Sequence, residues 1–395
     1  MTRQTPAKTP LRVAMIGHGF MGAAHSQGWR VAPRFFDLPL APVMETVVGR
    51  DLGKAEAAAE TWGWNSSSND WRSVLERDDI DLVDIVTPGD SHAEIAIAAL
   101  DAGKHVLCEK PLANTVDEAI AMAEAADRAA ARGVFAMVGF TYRRVPAVTF
   151  ARDLVREGRL GAIRQVRAAY LQDWLSDPES PLTWRLQKES AGSGALGDIG
   201  AHAIDLAQFV PGLRLDAVSG TVETLVHERP LLETGSGLSG TAGEERGAVT
   251  VDDMALFAGR FAGGVLGNFE ATRFSTGRKN ALRLEVSGDK GALSFDLESM
   301  NELQFYDATV SPATAGFTRI LVTEPEHPYA GSWWPAGHML GYEHAFSHQV
   351  RDLVDSIGAG TQPEPSFADG LQVQRVLDAV ERSSLADSRW TSTLS

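Results

Sequence analysis

The chain has 395 residues, 44% of them hydrophobic and 22% charged, an ordinary globular composition at a length that suits two domains better than one. Its formal charge of −16 repels phosphate backbones and anionic lipid surfaces, and no basic run offsets it, so neither nucleic acid nor a membrane surface is expected as a partner. Its single cysteine, Cys108, allows no disulfide within one chain and fits a reducing cytoplasm, while no window approaches the roughly 18 apolar residues that a spanning helix needs.

Met1 to Pro10 is polar, lacks the apolar core of a secretory signal, and reads as a loose tail. From Leu11 onward, apolar β-rich runs alternate with Ala-rich helical stretches, the sequence form of βαβ units around a parallel sheet. The pattern predicts strands at Leu11–Ile16, Met44–Val48, Asp81–Val86, His105–Leu107 and Val134–Phe140. Between them it predicts helices at Met21–Val31, Lys54–Trp62, Asp70–Glu76, Ser91–Ala102 and Val116–Ala131. Residues 11–145 are therefore expected to form a doubly wound, Rossmann-type domain.

Near Pro146 the alternation changes, and residues 146–395 are expected to form an α+β domain with a large, mostly antiparallel open sheet. A helix to about Glu157 precedes a strand at Ile163–Trp174, then a Gly-rich helix start lies at Gly194–Phe209. Hairpin signals follow at Ala262-Gly263-Gly264 and Gly288-Asp289-Lys290-Gly291. His227–Gly247 is polar, Gly-rich and weakly periodic, and reads as an extended surface loop. Helices at Tyr342–Ser356 and Phe367–Arg382 close the chain, with His338, His344 and Trp333-Trp334 around the first of them.

Gly17-His18-Gly19-Phe20-Met21-Gly22 stands where the first strand turns into the first helix. In a GxGxxG so placed, Gly17 permits the tight turn, Gly19 lets backbone approach a pyrophosphate, and Gly22 lets helix and strand pack closely. Isolated, such glycines only punctuate a turn; the βα units that follow make this a dinucleotide site. The second strand ends in Gly49-Arg50-Asp51, where an acid would hold a ribose 2′-hydroxyl and a base a 2′-phosphate. Arg50 suits a phosphate or adenine, Asp51 falls one place late, and Asp37 sits in a loop, so NAD and NADP both remain open.

Two further motifs carry chemistry. Glu109-Lys110-Pro111 follows a buried strand at the carboxyl edge of the sheet, where a lysine can bond a substrate hydroxyl and stabilise developing alkoxide charge; alone, it is more often a solvated loop charge. In Gly194-Ala195-Leu196-Gly197-Asp198-Ile199-Gly200-Ala201-His202, the four-residue spacing places Asp198 and His202 on one helical face. Oxidising an alcohol needs a base for the hydroxyl proton, and histidine titrates in the useful range. The bland alternative has Asp198 cap the helix and His202 pack in the core. No Cys/His/carboxylate cluster has metal-ligand spacing, so no metal is expected.

Together these motifs resemble the Gfo/Idh/MocA oxidoreductase family over nearly the whole chain. The resemblance implies Lys110, Asp198 and His202 as the catalytic set, with Asp198 orienting the sugar or the imidazole. Beside Gly19 and Gly22 of the fingerprint, it implies cofactor contacts at Gly17, Phe20, Met21, Thr87, Pro88, His92, Glu109 and Lys110, with Arg50 and the Tyr142-Arg143-Arg144 turn as weaker additions. Two positions depart from the family: Thr141 replaces an asparagine often found there, and Gly49 replaces the strand-end acid.

Within the family, Tyr170-Leu171-Gln172-Asp173-Trp174, Pro181-Leu182-Thr183-Trp184-Arg185 and Glu326-His327-Pro328-Tyr329 look most like members that oxidise the C3 hydroxyl of an anhydrosugar such as levoglucosan. A sugar or polyol substrate would then meet Lys110, Tyr142, Gln172, Asp173, Trp174, Arg185, Asp198 and His202. Trp174 can cover a sugar's C–H face, though ordinary packing explains such a tryptophan equally well. The resemblance also implies a homodimer or homotetramer. Two rivals share the fold: a sensor of dinucleotide and sugar that does no chemistry, and a glycoside-cleaving enzyme that recycles a bound nicotinamide.

Overall fold

The computed structural model describes residues 8–236 and 239–394. They fall into two compact units. One comprises residues up to Leu112 with Asp117–Thr141 and Tyr342–Gly370; the other comprises Ala113–Val116, Tyr142–Gly341 and the chain from Leu371 onward.

The first unit holds a six-stranded sheet of β1 (Pro10–Ile16), β2 (Ala41–Val48), β3 (Ser66–Ser68), β4 (Leu82–Ile85), β5 (His105–Cys108) and β6 (Ala136–Val138). Their order is β3-β2-β1-β4-β5-β6, and every pair is parallel. Helices α1 (Phe20–Phe35), α2 (Leu52–Trp62), α3 (Trp71–Leu75), α4 (His92–Asp101) and α5 (Val116–Ala130) supply the crossovers. Largely buried on both faces, β1, β4 and β5 read as mostly apolar runs, which is why the alternation was legible. β3 was not, because Ser66-Ser67-Ser68 carries no apolar signal and pairs only as a short edge beside β2.

The second unit begins with α6 (Pro146–Arg156) and β7 (Ile163–Leu171), followed by the short α7 (Lys188–Ala191) and α8 (Ala201–Phe209). The strands β8 (Leu215–Glu223), β9 (Glu228–Ser236), β10 (Ser239–Ala248), β11 (Met254–Phe261), β12 (Leu266–Thr272), β13 (Ala281–Gly288), β14 (Gly291–Asp296), β15 (Glu302–Asp307) and β16 (Thr318–Leu321) come next. After them in the chain run α9 (Tyr342–Ala359), which belongs to the first unit, then α10 (Phe367–Leu385) and β17 (Thr391–Ser392). A nine-stranded sheet has the order β16-β15-β14-β13-β7-β12-β11-β8-β17; only β7 and β12 pair in parallel. Strict alternation of burial along β11 and β14 shows one face packed and one open, with α8 against the packed face at β7, β12 and β13.

Two features differ from the sequence reading. His227–Gly247, expected as a loop, is mostly the antiparallel ribbon of β9 and β10; it belongs to neither large sheet and carries a buried arginine, Arg229, in place of an apolar alternation. The chain also does not divide at a single point near residue 146. α9 belongs with the first unit, where Val350, Leu353 and Val354 join Trp29, Leu11, Met15 and Val47 in one core and the helix packs along α1. No described helix is long and apolar enough to cross a membrane.

Candidate active site

In the first unit the glycine fingerprint has the shape expected of it. Gly17 adopts φ +112°, and a Cβ there would stand 2.8 Å from the Val86 carbonyl oxygen, so the turn admits only glycine. At Gly22 a Cβ would meet the Gly17 carbonyl oxygen at 3.2 Å and Met15 Cε at 3.4 Å, which is the close helix–strand packing. Above Gly19, in contrast, a Cβ would meet nothing within 4 Å. Gly19 is also the N-cap of α1, with no side chain capping the helix, so the first N–H donors are available to an anion. Open space, bare donors and a tight turn together fit a dinucleotide pyrophosphate.

The end of β2 explains the missing acid. A Cβ on Gly49 would fall 2.1 Å from His18 Cδ2, so the His18 ring fills the place of a side chain. Asp51 accepts from Lys54 N at 3.1 Å as the N-cap of α2, and Asp37 is exposed and ion-paired with Lys8. Both acids already have a partner, and Arg50 is exposed at the strand end. Phe20 stacks on Tyr342, with centroids 6.2 Å apart, while Met21 packs into the core beneath. His92 bonds inward: its ring nitrogens lie 2.9 Å from the Thr87 carbonyl and 3.0 Å from the Pro111 carbonyl, tying the turns after β4 and β5 together.

Glu109 and Lys110 rest on a buried network that the sequence reading missed. His25, on α1, contacts both carboxylate oxygens of Asp84 at 2.9 Å through Nδ1 and Glu109 Oε1 at 3.0 Å through Nε2. Trp29 Nε1 donates to Asp84 Oδ2 at 2.7 Å, and Lys110 N donates to Glu109 Oε2 at 3.3 Å. Burial opposes charge on the imidazole, but the Asp84 and Glu109 carboxylates outweigh it and raise the His25 pKa to about 10. The signal was present: one aspartate inside the apolar run Leu82-Val83-Asp84-Ile85-Val86 must be buried, and a buried carboxylate needs a partner.

In the second unit, the helix start that carries Asp198 and His202 is not a plain α-helix. Leu196–Gly200 form a π-helical turn leading into α8, with bonding that reaches one residue further per turn. The helix cap is Asp252, not Asp198. Its carboxylate accepts from Gly194 N and Leu196 N, each at 2.7 Å, and burial pushes its pKa up while those donors oppose the rise. Asp198 instead meets Arg273, whose Nη2 donates to Oδ2 at 2.8 Å. The His202 ring lies 4.6 Å from that of Tyr142 and 6.0 Å from that of Tyr170.

A hydrogen-bond chain joins the proposed sugar contacts of this unit. The Tyr142 and Tyr170 hydroxyls are 3.0 Å apart, and Tyr170 Oη donates to Asn280 Oδ1 at 2.7 Å. Gln172 Nε2 donates to the same Asn280 oxygen at 2.8 Å, and Trp174 Nε1 donates to Gln172 Oε1 at 2.9 Å. The Arg273 guanidinium stands 5.3 Å from the Trp174 ring centroid. Asp173 is not part of this chain. It holds the following turn, accepting from Lys279 Nζ at 2.7 Å and Gly277 N at 3.0 Å, and Lys279 depresses its pKa. Arg185 packs over Trp184 at 4.4 Å; burial lowers its pKa, with Asp198 opposing and Arg273 adding to that shift. Tyr142, Tyr170, Gln172, Trp174 and Asp198 thus share a network that includes Arg273 and Asn280, neither of which the motifs singled out.

Comparison with known proteins agrees with both halves. The oxidoreductase family's NAD-binding Rossmann fold matches residues 11–140, and the GFO/IDH/MocA C-terminal domain matches residues 148–294. The chain is 43% identical over 383 residues to levoglucosan dehydrogenase of Pseudarthrobacter phenanthrenivorans, covering 96% of this chain and 97% of that protein. Among solved structures, an oxidoreductase domain protein from Kribbella flavida is 63% identical with a TM-score of 0.93, covering 98% of this chain and 99% of that one. Levoglucosan dehydrogenase in complex with NADH and levoglucosan is 41% identical with a TM-score of 0.91, covering 98% of this chain and 100% of that one.

Proposed function

The chain belongs to the Gfo/Idh/MocA family of oxidoreductases, and from that membership we propose that it is a dehydrogenase of an anhydrosugar or closely related sugar, with levoglucosan the first substrate to test. It acts on a CH–OH group with NAD or NADP. A bound nicotinamide supplies the acceptor for the hydride that leaves the carbinol carbon. His202 takes the hydroxyl proton, Lys110 bonds the reacting oxygen and stabilises its developing charge, and Asp198 accepts from a sugar hydroxyl and so orients the ring. The products are a ketone, a reduced nicotinamide and a proton on His202.

The observation that carries this reading is Asp198. The bland role for that residue, capping the helix, is filled by Asp252, and Asp198 is held instead by a buried arginine beside Trp174. Gln172 and Trp174, bonded to each other, supply a polar group and an aromatic face suited to a sugar. We place the enzyme in the cytoplasm, with its single cysteine buried. We also propose a homodimer or homotetramer through the open face of the nine-stranded sheet, where Leu256 and Leu266 are exposed.

The test is a panel of monosaccharides, anhydrosugars and inositols, each offered with NAD and with NADP and followed at the reduced-nicotinamide absorbance. Levoglucosan-dependent reduction is expected. Sugar binding without reduction would favour a sensor, and glycoside cleavage without net reduction would favour a redox-cycling enzyme. Lys110→Ala and His202→Ala should each reduce turnover by a factor on the order of 100 or more while dinucleotide affinity stays near that of the unmodified chain. Unchanged turnover would remove the residue from its assigned role.

A further inference from the structure

We propose that Arg273 is a positioning residue for the sugar: one buried guanidinium that fixes both the Asp198 carboxylate and the Trp174 indole. This rests on the reading of Asp198 as a sugar contact given above.

Arg273 directly follows the end of β12, and its side chain is wholly buried, at 0% exposure. Nη2 donates to Asp198 Oδ2 at 2.8 Å and to the Gly194 carbonyl oxygen at 3.3 Å. The guanidinium also lies 5.3 Å from the Trp174 ring centroid, within cation–π range. Its Nε and Nη1 atoms are buried with no hydrogen-bond partner. A guanidinium buried with part of its edge unpaired is costly to hold, and its charge is offset by the Asp198 carboxylate and by the buried Asp252 carboxylate nearby. What sets the residue apart is where these contacts lead.

Each group that Arg273 touches belongs to the proposed sugar site or to its frame. Gly194 opens the helix start that carries Asp198 and His202, and Trp174 is bonded through Gln172 to Asn280 and Tyr170. Asp198, in a π-helical turn, is also within electrostatic reach of Arg185. Pairing with Arg273 gives its carboxylate one direction, and an ionised carboxylate is purely an acceptor. A sugar hydroxyl then meets an acceptor and an aromatic face whose mutual placement is set by one cation. The predicted consequence is a strict demand for a hydroxyl donor at one ring position.

A double-mutant cycle tests this, using Arg273→Met, Asp198→Asn and the combined variant in the full chain with saturating dinucleotide. Arg273→Met should raise KM for the sugar about tenfold or more, with NADH affinity unchanged. Adding it to Asp198→Asn should cause little further loss, because both changes break the same arrangement. Arg273→Lys, which keeps the charge but cannot contact all three groups, should fall between the two and remains informative if Arg273→Met folds poorly. Losses that multiply in the double variant, or an Asp198→Asn enzyme with the original KM, would overturn the proposal in an enzyme that is otherwise active. An unmodified chain that oxidises no sugar would overturn the functional reading itself, a separate outcome.

Discussion

His25 and Glu109 meet at 3.0 Å beneath the residue that carries the Lys110 amine, and Asp84 holds the other side of the same imidazole at 2.9 Å. One ring thus ties α1, which begins at the glycine fingerprint, to the ends of two strands. With a folded pKa of about 10 against an ordinary value of 6.5, His25 is protonated in the folded protein. The stability it adds is fully present below about pH 6.5 and is lost as pH rises through about 10. His25→Leu should cost about 3–5 kcal/mol, because it leaves two buried carboxylates without their cation. Urea unfolding of both proteins between pH 6 and about 10.5 checks this. Parallel pH dependences would show that the imidazole is not the titrating group.

Gly17 and Gly19 should separate fold from ligand binding. Gly17→Ala places a Cβ 2.8 Å from the Val86 carbonyl oxygen at φ +112°, and should cost about 1–3 kcal/mol as well as dinucleotide affinity. Gly19→Ala puts a methyl group into open space, so its melting temperature should hold while NADH binding weakens. NADH fluorescence titration alongside thermal melts decides the matter; full affinity in Gly19→Ala would mean that no pyrophosphate passes over this turn.

Gly194→Ala tests the frame of the proposed catalytic helix. Its Cβ would lie 1.7 Å from the Asp252 carbonyl oxygen, which forces the cap apart. We expect a loss of about 1–3 kcal/mol or more, with turnover falling further than NADH affinity. A variant with the original melting temperature would show that the two segments are not locked together.

Asn280→Leu removes the oxygen that accepts from both Tyr170 and Gln172. It should cost about 1–3 kcal/mol and raise KM for the sugar, whereas Asn280→Asp keeps the acceptor oxygens and should retain most of both. Sugar KM measured at saturating dinucleotide reports the difference. Equal KM values for the two variants would disconnect Asn280 from the sugar wall.

The parallel sheet was legible because β1, β4 and β5 are mostly apolar and the helices between them are not. The second sheet was legible in its turns. What escaped were elements whose partners are remote in sequence: the serine strand β3, the polar ribbon of β9 and β10, and the placement of α9 in the first unit. At the site, motif spacing singled out Asp198 and His202, but not the π-helical turn that carries Asp198. Nor could it identify Arg273, which lies 75 residues from Asp198, or Asn280, 108 from Gln172. Such residues carry no local pattern; they become visible only when the strand register is known. Asp173 shows the converse: its neighbours drew it into the proposed sugar wall, and its hydrogen bonds to Lys279 and Gly277 assign it to a turn.

The return of Tyr342–Gly370 to the first unit gives synthesis an order that differs from the order of the sequence. As the chain leaves the ribosome, the six parallel strands are made early, yet the helix that completes their core emerges only after almost all of the second unit. Until then the apolar stripe around Trp29 lacks the cover that Val350, Leu353 and Val354 give it. Release of the last fifty or so residues is therefore the moment at which this half becomes able to close, and truncation ahead of α9 should leave it aggregation-prone even with every glycine of its fingerprint in place.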